Sequence, residues 1–379
     1  MIEKLKFCIS RYLANKTDIF FYNKGRVALY AILKAIGTGQ GDEVILQAFT
    51  CVVVANSIKY LGATPVYVDI RPDSYNMDVE KLKKAITPRT RVIICQNTFG
   101  LSTDLEAILE IAKERNIFTV EDCTHGFGGT YHGKPNGLFC DASFFSMQWN
   151  KPFSSGIGGF LLVNNLLLAP RIKAMEKEKL KPKFTSGITF KALFFARRYL
   201  LTDRNYWHLL RLYRWLSKNN LVIGSSRGEE LEGVVMPPRY FMDYGNQQAK
   251  EGLRNIGNLE KIINLRKANA KMYSQFLEKN SKTFVHAEFV GDHSFLKYPL
   301  IVNNRELFTQ RAEEASIRLG DWFISPLHPV IKDLSEWNFD ESLFPVASRI
   351  ARHIINLPTE IPDNRKVISF LEQNLELID

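Results

Sequence analysis

An α/β architecture is predicted for this chain of 379 residues, with a mostly parallel central sheet in a large domain and a smaller α+β domain at the C-terminal side. Three observations predict it. Short continuous apolar runs alternate with helix-length stretches from about residue 18 to 165. Those runs carry apolar residues on successive positions, as strands covered on both faces require. Beyond about residue 245 the regular alternation gives way to mixed helical and strand-like stretches.

The elements follow in order. Gly25–Ile36 reads as the first long helix, and Glu43–Gln47 as a buried strand. Helices are expected over Cys51–Leu61, Asp78–Ala85 and Asp104–Arg115, and strands over Pro65–Asp69, Val92–Gln96 and Phe118–Glu121. An aromatic-rich strand around Phe144-Phe145-Ser146 precedes a Ser/Gly-rich turn. Long basic, aromatic helices are expected over 171–235, inserted in a large domain of residues 1–244. Gly245–Asn280 is expected to be helical and to lead into a small domain of residues 245–379. That domain contains the apolar runs Phe284–Phe289 and Leu296–Val302, a helix from Arg305 to Leu319 and a last helix from Asn364.

Composition narrows the classes of function. Hydrophobic residues make up 45% and charged residues 24%, the values of a globular chain. No apolar run reaches the ~18 residues of a membrane span, and the first residues lack a secretory apolar core. The five cysteines are scattered singly, which suits reduced thiols in the cytoplasm. Cys123, His125, His132 and Cys140 lack the paired spacing of a zinc site, so no metal is expected. The net charge of +10 is concentrated: thirteen Lys or Arg stand against three acids between Arg171 and Lys218. Arg211, Arg214 and Lys218 share one helical face and Leu209, Leu212 and Leu216 another, with Trp207, Tyr213 and Trp215 interspersed. Such a helix either packs its apolar face on the protein or lies on an anionic membrane, so peripheral contact through 171–218 is one expectation. No nucleic-acid recognition motif accompanies the charge.

The chemistry points to Lys151. It follows the aromatic strand and sits five residues after Ser146, while Asp122 ends an apolar run twenty-nine residues upstream. Ligands of open parallel sheets collect beyond the carboxyl ends of strands, so these side chains are expected in one crevice. A buried lysine amine, a carboxylate and a phosphate-sized Ser/Gly turn are the parts that hold pyridoxal 5'-phosphate. The amine condenses with the aldehyde once burial or nearby positive charge lowers its pKa. The carboxylate keeps the pyridine nitrogen protonated. A helix start supplies N–H groups to the phosphate. Gly25, Arg26 and Val27 open the first helix and are assigned to the phosphate with Ser146. His125 is placed against the ring or its phenolic oxygen, and Cys51 with Phe49 over a ring face. Read singly, each residue has a plainer explanation: a surface lysine, a turn aspartate, a packed histidine or a small core cysteine. The order and spacing of the set carry the assignment.

The chain resembles the DegT-type aminotransferases, which act on nucleotide-linked keto sugars. The similar segments are Gly41-Asp42-Glu43-Val44-Ile45, Ala48-Phe49-Thr50, Leu61 to Ile70, Ala85 to Thr90, Phe99-Gly100, Glu121-Asp122, Phe144-Phe145-Ser146, Lys151 and Gly158-Gly159. Pro326-Leu327-His328 and Asn356-Leu357-Pro358-Thr359 follow near the end. The resemblance implies the fold type I of pyridoxal-phosphate transferases and a homodimer with sites at the subunit interface. It implies a cofactor-bearing lysine at Lys151, a phosphate-binding serine at Ser146 and a pyridinium carboxylate at Asp122. It further implies transfer of an amino group, with glutamate the expected donor, to a keto sugar for surface polysaccharide or glycan biosynthesis. Four departures stand out. His125 replaces a common glutamine, and Lys24-Gly25-Arg26 replaces Ser-Gly-Thr. Cys51 stands where an aromatic residue often stacks. The Asn-x-Arg motif is missing, which leaves Arg239 as a substitute; His328 is a further substrate candidate. Alternatives are a dehydratase of the same family, some of which replace the lysine with histidine, and a non-catalytic membrane-associated scaffold.

Overall fold

The computed structural model describes residues 1–14, 18–200, 209, 212, 215–216, 230–231, 233–285 and 293–379. Arg211, Arg214, Lys218, Trp207 and Tyr213 of the expected basic helix lie outside the described residues, as does 286–289 of the expected run Phe284–Phe289.

The first part of the chain contributes strands β1 (Asp18–Tyr22), β2 (Glu43–Gln47), β3 (Thr50–Cys51), β4 (Thr64–Val68), β5 (Thr90–Gln96), β6 (Phe118–Asp122), β7 (Thr130–Tyr131), β8 (Lys134–Pro135), β9 (Ala142–Ser146) and β10 (Gly159–Val163). Seven of them form one sheet in the order β1-β10-β9-β6-β5-β2-β4. The β4-β2-β5-β6-β9 pairs are parallel, and β10 runs antiparallel to both β9 and β1. The mostly parallel sheet is therefore present, with an antiparallel margin.

Helices α1 (Ile2–Tyr12), α2 (Gly25–Ile36), α3 (Val52–Lys59), α4 (Val79–Ala85) and α5 (Leu105–Arg115) are set by local signals. Asp78 caps α4 by accepting from the Glu80 and Lys81 amides, and Asp104 caps α5 through the Ala107 amide. Gly37, at φ 87°, ends α2 in the left-handed conformation that glycine enters without strain. Buried side chains on both sides of the sheet form separate clusters: Val44, Leu46, Ile94 and Phe144 face α2 and α3, whereas Ile45, Ile93 and Cys95 face α4 and α5. Period-2 alternation with both faces apolar thus produces the continuous runs seen in the sequence.

The basic stretch begins with helices Ala169–Met175 and Phe184–Phe195, then a π-helical turn to Leu200. The expected helix Gly245–Asn280 is two helices, Asn246–Ile256 and Leu259–Lys279, with Gly257 and Asn258 between them. The second spans the molecule: Leu259 and Ile263 are buried with α1, while Tyr273 and Leu277 are buried near β11 (Tyr298–Ile301). β12 (Leu327–His328) pairs in parallel with β3, and β13 (Ile354–Leu357) pairs antiparallel with β11. Asp69, just past β4, accepts from the Val346 and Ala347 amides and fastens the helix Pro345–His353 to the sheet. Among the described residues no helix is long and apolar enough to cross a membrane, and no group of His, Cys, Asp or Glu could hold a metal.

Candidate active site

Parallel strands that end together deliver their following residues to one edge, and here that edge is a cavity. It is lined by Asp122 from the end of β6, Ser146 from the end of β9, Gln96 from the end of β5 and Thr50–Cys51 from β3. Lys24, Gly25 and Arg26 enter from the start of α2, and Lys151 from the turn between β9 and β10. Trp322, Phe323 and His328 close the opposite side.

Close approach of α2 to the sheet is built from glycines. A Cβ on Gly25 would lie 3.0 Å from the Phe145 carbonyl oxygen and from Ser146 Cβ, and one on Gly159 would lie 2.3 Å from the Gly25 nitrogen. The helix start therefore touches the strand end that carries Ser146. Val27 and Ala28 donate to the Lys24 carbonyl at 3.2 and 3.3 Å, so the helical bonds begin after Gly25 and Arg26. An anion at this corner meets a helix N-terminus, a hydroxyl and two cationic side chains.

Electrostatics at the other end are governed by dryness. Burial pushes the Lys151 amine down to about 8, Arg26 and Lys297 push the same way, and Cys51 and Asp122 oppose them. Burial raises the Asp122 carboxyl above its ordinary value, against the Thr124 hydrogen bonds and the Lys151 charge. The Thr124 amide donates to Asp122 Oδ1 at 2.9 Å. Asp122 thus gains from a cation placed beside it. Burial also holds His125 well below its ordinary value, aided by Lys151, Lys297 and His328. Its Nδ1 accepts from the Phe99 amide at 3.2 Å, which leaves Nε2 to carry the proton of the neutral ring. Burial raises the Cys51 thiol, with Arg26 opposing.

Asp122, His125, Ser146, Lys151, Gly25, Arg26, Cys51 and His328 all line one cavity. Val27 does not: its side chain is buried in the core and its amide is turned to Lys24. Phe49 is also buried behind the lining, edge-on to Phe99 and Phe323. Arg239 lies outside the lining, and its guanidinium donates to the Lys181 carbonyl at 2.8 Å.

Sequence reasoning missed Trp322 and Phe323. The Trp322 ring stacks on His125 at 4.7 Å and 8°, and the Lys151 amine sits 4.4 Å from its centroid. The segment reaches the site because β12 aligns Leu327 with Thr50 and His328 with Cys51. Its signal was the aromatic pair just ahead of Pro326-Leu327-His328. Glu230 was missed as well. It is buried, and its carboxylate lies 2.7 Å from Arg26 Nη1 and 3.6 Å from Lys24 Nζ.

Comparison with known proteins adds to this geometry. The model of the DegT/DnrJ/EryC1/StrS aminotransferase family matches residues 3–196 and 240–363. A GDP-perosamine synthase of Escherichia coli O157:H7 is 34% identical over 239 residues, covering 63% of this chain and 59% of that protein. A GDP-perosamine synthase of Caulobacter vibrioides is 30% identical over 314 residues, covering 82% of this chain and 67% of that protein. A Streptococcus pneumoniae protein, described provisionally as a sugar aminotransferase and solved in its PLP form, superimposes with a TM-score of 0.74 at 23% identity. That match covers 98% of this chain and 89% of the other.

Proposed function

The chain belongs to the DegT/DnrJ/EryC1/StrS aminotransferase family, and from that premise we propose that it transfers an amino group from an amino acid to a nucleotide-linked keto sugar, using pyridoxal 5'-phosphate. The donor we propose is glutamate, and the setting is polysaccharide or glycan biosynthesis. One observation carries the reading: Lys151, Asp122 and the Gly25–Ser146 corner open on the same cavity.

The residues fit the cofactor on their own chemistry. The Lys151 amine, held down to about 8, is in part neutral at physiological pH and so can attack an aldehyde. Asp122, raised by burial, is stabilised by a protonated ring nitrogen. The corner at Gly25 and Ser146 accepts a phosphate because a Cβ at either glycine, 25 or 159, would fill the close approach. When bound, the cofactor supplies an electron sink for the carbanion at the amino-bearing carbon. With the cofactor bound, Lys151 would take up and return the proton at the amino-bearing carbon of the substrate. Asp122 would hold the ring nitrogen's proton, His125 would contact the ring, and Trp322 with Phe323 would keep water from the amine.

The test is to mix protein, cofactor and glutamate. The yellow absorbance should give way to that of the amine form, and Lys151→Ala should abolish the change. No change with any amino acid donor would refute transamination. The dehydratase and scaffold alternatives lose ground to a lysine at position 151 in a built cavity.

The finer parts of the proposal are a homodimer, a cytoplasmic location, a division near 244/245 and a peripheral membrane contact. For the last, the support is the helix Phe184–Phe195 and its continuation, where Ile188, Phe195, Tyr199 and Leu200 are exposed beside Lys191, Arg197 and Arg198. Sedimentation with anionic vesicles tests it, the expected result being loss of binding on reversing the charge of those three cations. The dimer predicts a mass near twice 43.5 kDa in sedimentation equilibrium.

A further inference from the structure

Residues 197–239 lie between the two stretches matched by the family model. From this interval Glu230 reaches the phosphate corner, where it is fully buried. Its main-chain carbonyl accepts from Asn56 Nδ2 at 2.8 Å, and Asn56 Oδ1 accepts from Trp337 Nε1 at 2.6 Å. The residue is thereby held beside α3. Its carboxylate meets Arg26 at 2.7 Å and Lys24 at 3.6 Å, on either side of Gly25. Lys24 and Arg26 line the cavity, but Glu230 does not. The two cations therefore have an anion behind them and, on the reading above, a phosphate in front.

Burying a carboxylate is costly unless charged partners offset the loss of water. Two side chains that offset it, Lys24 and Arg26, also line the cavity where a phosphate would sit, in surroundings where charge is weakly screened. Burial works against the Arg26 charge, and Glu230 foremost, with Cys51 and Tyr240, outweighs it, so that the guanidinium stands above its ordinary value.

We propose that Glu230 is a built-in counter-anion that competes with the cofactor's phosphate for Lys24 and Arg26, and so sets the affinity of this chain for phosphate-bearing ligands. The proposal rests on the cofactor reading for its ligand. It departs from that reading in assigning a role to a segment the family model does not match. By linkage, whatever Glu230 withholds from the phosphate it gives to the anchoring of its own segment against α2 and α3.

Glu230→Gln keeps the shape and an acceptor for Arg26 while removing the charge. Calorimetric binding of inorganic phosphate to the cofactor-free protein, and titration with pyridoxal phosphate, should both tighten roughly tenfold. Pyridoxal, which lacks the phosphate, should bind as before. In an Arg26→Gln background the same substitution should change phosphate affinity less than about twofold, since neighbouring effects are not additive. Glu230→Asp, which draws the charge back by one methylene, provides a second variant and should tighten binding by less. Unchanged or weaker phosphate binding by Glu230→Gln, or an equal gain for pyridoxal, would overturn the proposal. Failure of the wild type to fix pyridoxal phosphate under borohydride would instead remove the cofactor reading, while the inorganic phosphate titration would still judge Glu230.

Discussion

The cavity has two walls of different origin. One wall is the edge of the sheet, where Asp122, Ser146 and Lys151 follow strands β6 and β9 within about thirty residues of each other. The other is brought from afar: Trp322, Phe323 and His328 return through the β12–β3 pairing, and behind the lining Glu230 reaches Arg26 across 204 positions. The first wall carries the groups that would exchange protons. The second closes over the first: the Trp322 ring lies 4.4 Å from the Lys151 amine, whose pKa burial lowers. Chemistry at this site is thus a local property of strand ends, whereas its tuning is a property of tertiary packing.

The largest effect expected breaks the first wall. Lys151→Ala should lower amino transfer by about 10²–10⁴-fold or more with the fold intact by circular dichroism, since a positioned acid–base group is removed. Retained transfer would show that another amine does the work. Asp122→Asn comes next. It removes the carboxylate that would pair with the protonated ring nitrogen, and losing one partner of such a buried pair costs about 3–5 kcal/mol. Cofactor affinity and turnover should drop together, and a variant with normal cofactor spectrum and rate would place the ring nitrogen elsewhere.

Two smaller effects sharpen the contrast. Gly159→Ala puts a methyl group 2.3 Å from the Gly25 nitrogen, so α2 must shift away from Ser146. Overpacking of this kind costs about 1–3 kcal/mol. Phosphate affinity should weaken while the pH dependence of Lys151 stays as it was. The last prediction concerns that pH dependence. Because burial lowers the folded amine to about 8, its neutral form predominates above that pH and is lost as pH falls below it. The rate at which cofactor-free protein captures pyridoxal should therefore rise through pH 8 and level off about one unit higher. A midpoint near the ordinary value of about 10.4 would mean that the second wall does not exclude water.

The same contrast explains what could be read in the residues alone. Helix Gly25–Ile36 was legible to its last residue, because its apolar pattern ends at a glycine suited to the left-handed cap. Asp122 and Lys151 were legible because strand ends converge whatever the side chains. Trp322 was not, since nothing local in Gly320-Asp321-Trp322-Phe323 says that it will stack on His125. Arg26 was assigned to a phosphate by its place at a helix start, but its buried partner lay beyond the stretch whose charges were counted, in a segment expected to form basic helices. The helices Pro345–His353 and Ile2–Tyr12 were passed over because short amphipathic helices draw their stability from the surfaces they cover. The break at Gly257 and Asn258 within an expected single helix does not show in the apolar pattern, because Ala249, Gly252, Ile256, Leu259 and Ile263 keep helical spacing across it.

The central claim is that one lysine at the end of the aromatic strand carries the cofactor opposite the aspartate of β6. It is tested most directly by reducing the loaded protein with borohydride, digesting it and locating the added pyridoxyl mass by sequencing mass spectrometry. The mass should appear on Lys151 alone in the wild type and on no residue in Lys151→Ala. A tag on Lys297 or another lysine, with Lys151 unmodified, would contradict the account.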